Sequence, residues 1–578
     1  MSEQRDAFVS KLLDRMSLAE KVGQCFTLSW RGNLITPSIM DVIEKLHVGG
    51  LRVEPYTTES AVATYYGRKL SDPNFVPPPD YFSIAQTYFQ PKHPGTYTPP
   101  DEYARRLNRL QELAMARPSG VPLHITLDYE GDFSHDYPFG GIAMFPSQMG
   151  LTACGDDDLV YRVGKAVAAQ LRAVGITMVH SPVCDVNVNP DNPEIGTRAF
   201  SDKADVCARA AVRLFEGIRD GGLVATAKHF PGRGDSSKDA HEELESIAVD
   251  HDTLFARELL PYQKLIDAGI GAIMSAHSAY PSLDSPDTPA TLSSKIIRGV
   301  LREQLGFTGV ITTDAMGMGA IVKRWGIPRA CVLALKAGCN LMLVKNDEEV
   351  RTQSFFAVKQ AVEKGELSEE ELNDSVRYVL NMKYDQGLFE NGAQADSSSA
   401  ATTVGAAEYH SLARTAAERG MVVLRDRDGL LPLSTDSKVL VIEQITPLEF
   451  TPNDVHCNSH VLNEAMLEHS RAVINATSEF QATDREAELL LDVAGEADVV
   501  VVTNFYWRIR PQNNAELVAR LCAAGKKVVV LTNTPYAVGA PEAAGTVVCL
   551  FGAVPESLRA GARLLYGKAA AKGTVPIG

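Results

Sequence analysis

A chain of 578 residues is too long for one ordinary core, so two domains are expected. Hydrophobic residues at 45% and charged residues at 22% are ordinary globular values and exclude disorder as the default, while a formal net charge of −16 excludes a nucleic-acid backbone as the main partner, which needs a basic surface. Met1 to Phe8 has no basic start followed by an apolar core, and no run reaches the ~18 apolar residues needed to span a bilayer, so a cytoplasmic protein without a membrane partner is expected. Nine cysteines, spread from Cys25 to Cys549 with no Cys-x-x-Cys, suit reduced thiols acting as small buried apolar residues.

Along the chain, Asp6 to Phe26 reads as an opening helix, with Leu12, Leu13, Met16 and Val22 near helical spacing. Short apolar strands follow at His47 to Val53, Val121 to Asp128, Gly175 to Pro182, Leu223 to Ala227, Ala272 to His277, Gly309 to Asp314 and Asn340 to Val344. Most are separated by amphipathic stretches such as Asp158 to Val174 and Ala204 to Asp220. This alternation predicts an α/β fold, a TIM-type (β/α)8 barrel over residues 1–390, with seven evident strands and a poorly marked eighth. An aromatic and Pro-rich insert at about 54–100 falls after a barrel strand, either as a surface loop packed on its own rings or as a wall of the active-site face. Residues 391–405 have the small, polar composition of a linker. Beyond them, 406–578 carries the Val-rich runs Val439 to Ile442, Val499 to Val502, Val528 to Leu531 and Val547 to Leu550, separated by helical patterns, which predicts a smaller doubly wound α/β sandwich. It has no Gly-x-Gly-x-x-Gly and no Walker loop, so it is not read as a nucleotide site.

Polar groups gather where strands end. The buried run before Lys228 releases the loop Lys228-His229-Phe230-Pro231-Gly232-Arg233-Gly234-Asp235-Ser236-Ser237-Lys238-Asp239-Ala240-His241. Asp314 ends another buried strand, where an Asp serves as a helix N-cap or as a reactive carboxylate. On residues alone, Asp239-x-His241 reads either as a solvated Gly-rich turn or as an acid/base pair, in which a carboxylate stabilises the protonated imidazole. Asp128, Arg198, Lys228, His229 and His277 fit ligand binding or buried, mutually satisfied strand-end groups. A barrel holding His229, Asp235, Asp239, His241 and His277 also admits a metal-dependent hydrolase, but strand-end His-x-His spacing is absent and no metal is assigned.

The Lys-His-Phe-Pro-Gly-x-Gly-Asp-x-x-x-Asp-x-His string resembles the signature of the β-N-acetylglucosaminidase branch of family-3 glycoside hydrolases. Ser181 to Asn187, Asn192-Pro193, Gly196 to Phe200, Met274 to His277, Pro289 to Ser293 and Gly306 to Met316 are similar to the family's other segments, in the same order. The resemblance implies a retaining exo-β-glycosidase, foremost a β-N-acetylhexosaminidase. In it Asp314 is the nucleophile, His241 with Asp239 the acid/base, and Asp128, Arg198, Lys228 and His229 hold the sugar, with His277 supporting the nucleophile. It implies no cofactor. The partner is a small carbohydrate or glycoside, and phosphate replaces water if the protein is a phosphorylase. A β-glucosidase of the same family and a carbohydrate-binding pseudoenzyme are also open at this point. The chain departs from the family at Tyr129, Asp132, Phe133 and Arg233, which points to altered walls of the sugar pocket.

Overall fold

The computed structural model describes residues 2–31, 34–54, 98–132, 134–137, 139–445, 460–507 and 513–578. Eight parallel strands close into a barrel: β1 (Phe26–Arg31), β2 (Gly50–Glu54), β3 (His124–Gly131), β5 (Met178–His180), β6 (Val224–Phe230), β7 (Ala272–Ser275), β8 (Val310–Ala315) and β9 (Leu341–Val344). The circle closes through pairing of β2 with β1 on one side and β3 on the other, while β4 (Ser134–His135) folds back antiparallel on β3. Helices cover the outside, among them Asp157–Ala173 and Ala204–Asp220, each with one buried apolar face.

The elusive eighth strand is β1, and it lies where the opening helix was expected to end. The Asp6 to Phe26 stretch is two helices, Ser2–Leu13 and Leu18–Gln24. Ser17 separates them with a capping box: its hydroxyl accepts the Glu20 N–H, and the Glu20 carboxylate accepts the Ser17 N–H at 3.0 Å. β1 alternates apolar and polar residues because Thr27 and Ser29 are satisfied by partners on other barrel strands, Thr27 by His124 Nε2 of β3, two strands away, at 2.8 Å and Ser29 by Glu54 of β2 at 2.8 Å. Lys383 bridges the strand starts, its buried Nζ donating to Gln24 Oε1 and to the carbonyls of Gly49 and Pro122 at 2.7–2.8 Å. The aromatic and Pro-rich insert lies, for residues 55–97, outside the described residues.

The second sheet has the order β10-β15-β14-β13-β11-β12, with β10 (Val422–Asp426), β11 (Val439–Gln444), β12 (Val473–Ser478), β13 (Val499–Thr503), β14 (Val528–Thr532) and β15 (Thr546–Cys549). Only β10 runs antiparallel. Val439, Val441, Val501, Val529 and Val548 face one apolar cluster, and Leu440, Ile442, Val500, Val502, Val530 and Val547 face another. Burial on both faces is why these strands read as unbroken Val runs. The edge strand β12 is half-exposed and lacks such a run. Within the segment of linker composition, Ser397–Thr403 is a helix capped by Asp396.

Asp132 ties this domain to the barrel. It follows β3 with φ 49°, a conformation Asp tolerates better than most residues. Its carboxylate accepts the Asn533 amide at 2.6 Å and the Ala553 backbone N–H at 2.7 Å. The Asp132 carboxylate therefore serves domain docking. Asn187 donates to Tyr536 Oη at 2.7 Å, and Tyr506 Oη donates to the Pro193 carbonyl at 3.0 Å, across the same junction. Asp132→Ala orphans a buried N–H and a buried amide, at a cost of ~3 kcal/mol. Its thermal unfolding should begin several degrees lower, with the two domains melting separately; an unchanged single transition in calorimetry would count against this docking role.

Candidate active site

Barrel strands end on one face, and the side chains that matter sit at or just after those ends. A cavity of about 70 Å³ is lined there by Arg52, Asp128, Glu194, Arg198, Lys228, His229, Arg233, His241, Met274, Asp314, Ala315, Leu343 and Lys345. It brings together Asp128, Arg198, Lys228, His229, His241 and Asp314 of the sequence-derived set, with Asp239 and His277 one contact behind.

One wall is an ion network. Asp128, at the end of β3, is partly open to the cavity (side chain 29% exposed) and accepts from Arg52 at 2.5 Å, Lys228 at 3.2 Å and His180 Nδ1 at 3.1 Å. Two residues on, Glu130 is buried and takes Arg198 with two bonds, at 2.5 and 2.8 Å, and Lys228 at 2.5 Å. Arg52 is held in turn by Glu54 at 2.8 Å and by Asp136. Burial pushes the Asp128 and Glu130 carboxyls up, but the guanidinium and ammonium groups against them overcome it and hold both well below the usual carboxylate range. The same carboxylates raise Lys228 against the lowering effect of burial. These residues are thus fixed, charged hydrogen-bonding groups, suited to gripping vicinal hydroxyls.

Asp314 forms the floor. Its Oδ1 accepts the Ala315 N–H at 2.7 Å, and its Oδ2 lies 4.0 Å from His229 Nε2. Burial raises this carboxyl, and His229, His277, the Ala315 N–H and Arg233 more than compensate, so it stays well below its ordinary value and is ionised at neutral pH. His229 is oriented by the fully buried Asp185, which accepts from His229 Nδ1 at 2.8 Å and from the Arg233 backbone N–H at 2.6 Å. His277 lies behind the floor, its Nε2 donating to the Ala315 carbonyl at 3.2 Å and its Nδ1 taking the Thr291 hydroxyl at 2.8 Å. Burial lowers its pKa to about 4, so it is a neutral support for the backbone that carries Asp314.

His241 stands at the lip, its side chain about half exposed. Nδ1 bonds Asp239 Oδ1 at 2.7 Å, which leaves Nε2 for proton transfer. The loop docks beside the segment that follows β8, where the Gly319 N–H donates to the His241 carbonyl at 2.9 Å. A Cβ on Gly319 would lie 2.3 Å from the Glu242 carbonyl oxygen, so glycine is required there for the approach. Of the candidate metal-hydrolase set, Asp235 pairs with Arg257 at 2.8 Å instead of facing the cavity. Among the described residues one group has three donors within mutual metal-binding distance, Glu194, Asp239 and His241, and the Arg233 guanidinium against Glu194 opposes a cation there.

Sequence reasoning missed Arg52, Glu54, Glu130, Asp136, His180, Asp185, Glu194 and Lys345 as members of this assembly. Asp185, Glu130 and Glu194 lie inside or beside the motif segments, which is the signal that could have found them. Arg52 and Lys345 stand at the ends of apolar strands, and only barrel closure shows that those ends meet.

The Glycosyl hydrolase family 3 N terminal domain matches residues 95–382, and the Glycosyl hydrolase family 3 C-terminal domain matches residues 421–578. A β-hexosaminidase A of Pseudoalteromonas piscicida is 28% identical over 428 residues, covering 69% of this chain and 67% of that protein. A β-hexosaminidase of Hydrogenovibrio crunogenus is 36% identical over 234 residues, 39% of this chain and 64% of that protein, so the matches span about two thirds of these relatives' length. Among solved structures, a glycoside hydrolase family 3 β-N-acetylglucosaminidase from Paenibacillus sp. str. FPU-7 superposes with a TM-score of 0.85 at 29% identity, over 97% of this chain and 99% of that one. A β-glucoside phosphorylase, BglX, shares the fold with a TM-score of 0.79 at 20% identity, over 100% of this chain and 97% of that one. With both domains matched in order over a closed barrel and a second sheet, this chain belongs to glycoside hydrolase family 3.

Proposed function

We propose that this protein is a retaining exo-β-glycosidase of the β-N-acetylhexosaminidase type. The observation that carries the reading is an ionised Asp314 on the floor of a small cavity whose lip holds a histidine already bonded to a carboxylate. Asp314 Oδ2 attacks the anomeric carbon while the bond to the leaving oxygen breaks, and His241 Nε2 gives that oxygen its proton. In the second step His241 takes a proton from water, the water oxygen bonds to the anomeric carbon, and the ester to Asp314 breaks. Asp128, Arg198, Lys228 and His229 hold the hydroxyls of the terminal sugar, and His277 steadies the Asp314 backbone. The β-hexosaminidase relatives and the Paenibacillus enzyme support the acetamido sugar as substrate.

Phosphate as acceptor is the second reading, because a histidine that has given up its proton is neutral and repels phosphate less than a carboxylate would. The test is turnover of 4-nitrophenyl β-N-acetylglucosaminide against the β-glucoside, with and without phosphate. Preference for the acetamido sugar and phosphate-independent release of free sugar are expected. Preference for the glucoside would overturn the acetamido assignment, and a sugar 1-phosphate product would overturn hydrolysis. We take 1–390 as the catalytic barrel, 391–405 as the linker and 406–578 as the second domain. A reducing, cytoplasmic location is supported by the eight described cysteines, all of them free thiols.

A further inference from the structure

His241 Nδ1 has a second carboxylate partner. Glu194, from the segment before the Gly196–Arg198 turn, is 2.9 Å away through Oε1. Its side chain is 1% exposed, and its Oε2 accepts the Ala240 N–H at 3.3 Å and ion-pairs with the Arg233 guanidinium, itself 1% exposed. The two segments are also joined by Asn192, whose amide donates to the carbonyls of Arg233 at 2.8 Å and Gly234 at 3.3 Å. On the far side, the Pro193 carbonyl takes Tyr506 of the second domain.

Asp239 and Glu194 do different work. Asp239 rides on the same loop as His241 and is 27% exposed, so it orients the imidazole relative to the loop. Glu194 is buried on another segment, and its backbone carbonyl accepts at 2.9 Å from Arg198, itself paired with Glu130 of β3, so it orients the imidazole relative to the barrel and Asp314. A second carboxylate alone would put two negative charges on one imidazole. Arg233 cancels one of them, leaving a net charge of −1 for the three groups, the same as a single aspartate. This accounts for Arg233 in the loop: it is the counter-ion of the buried Glu194.

We infer that Glu194, neutralised by Arg233, is a positioning residue that anchors the acid/base His241 over the cavity from outside its own loop. This deepens the glycosidase reading and rests on it. Proton donation matters most when the leaving oxygen is a poor leaving group. A misplaced acid therefore slows poor leaving groups and spares good ones, whereas a general loss of fold or binding slows all alike.

The experiment is kcat/KM, which reports the steps up to the glycosyl-enzyme, for aryl β-N-acetylglucosaminides from phenyl to 2,4-dinitrophenyl. Wild type, Glu194→Gln and the charge-balanced Glu194→Gln/Arg233→Gln are compared. Both variants are expected to lose about 10- to 100-fold on the phenyl glycoside, part of the 10²–10⁴-fold worth of a general acid, and about threefold or less on the dinitrophenyl glycoside. The double variant leaves no buried unpaired cation, so it separates positioning from destabilisation of the single variant. Equal losses across the series in both variants, or no loss, would overturn the inference. If wild type ignores the acetamido series, the substrate reading fails and the comparison is made on aryl β-glucosides, where the same two patterns decide it.

Discussion

Asp314→Ala is expected to lower kcat/KM by on the order of 10⁴-fold or more, the scale seen when a nucleophile acting with its acid/base partner is removed. Among the described residues, the floor of the cavity offers no second carboxylate in position. Asp128 is tied up by Arg52, Lys228 and His180, and Glu194 by His241 and Arg233. The loss should come without unfolding, because Asp314 makes one short bond, to the adjacent Ala315 N–H, and is not part of the Glu130 ion network. Azide separates a missing nucleophile from a damaged site. With the carboxylate gone, azide can enter beneath a β-glycoside carrying a good leaving group and displace it directly, restoring turnover and giving an α-glycosyl azide. Activity within about tenfold of wild type, or no azide product from a folded variant, would remove Asp314 from the nucleophile's role.

The second large effect is expected at Glu130. Glu130→Gln keeps shape and hydrogen-bonding capacity but removes the charge that Arg198 and Lys228 share. Breaking a buried pair from one side leaves uncompensated charge, at a cost of about 3–5 kcal/mol, which should lower the unfolding temperature by on the order of 5 °C or more. Because the native environment lowers the Glu130 pKa, its contribution is fully present above the unfolded value of about 4.3 and is lost as pH falls through the lowered one. The gap in unfolding temperature between wild type and Glu130→Gln should therefore be widest near neutral pH and close as the solution is acidified below about pH 4. Activity should fall as well, since Arg198 and Lys228 lose the group that aims them into the cavity. A variant as stable as wild type at pH 7 would show that the network is not held together by Glu130.

Strand ends and loop motifs carried most of the site's legibility. Lys228 and His229 leave a buried strand as polar neighbours, Asp239 and His241 keep their two-residue spacing, and Asp314 closes an apolar run; each signal lies within a few residues. The barrel was legible for a similar reason, because a strand buried on both faces must be nearly continuous in apolar residues. β1 escaped because Thr27 and Ser29 satisfy themselves against His124 and Glu54, partners far away in the sequence. In the sequence, Asp132 and Arg233 stand out alike, as departures from the motifs around them. Their roles are different, because one carboxylate meets Asn533 and Ala553 across a domain junction and the guanidinium meets a buried Glu194.

By itself, the sequence determined the two-domain α/β class, the strand-end chemistry and the candidacy of Asp314, Asp239 and His241, because each depends on local spacing and local burial. Tertiary structure decided which charges neutralise one another: Arg52 against Asp128, Glu130 against Arg198 and Lys228, and Glu194 between His241 and Arg233. Coulomb interactions depend on separation through space, and chain order does not encode that distance until the barrel closes.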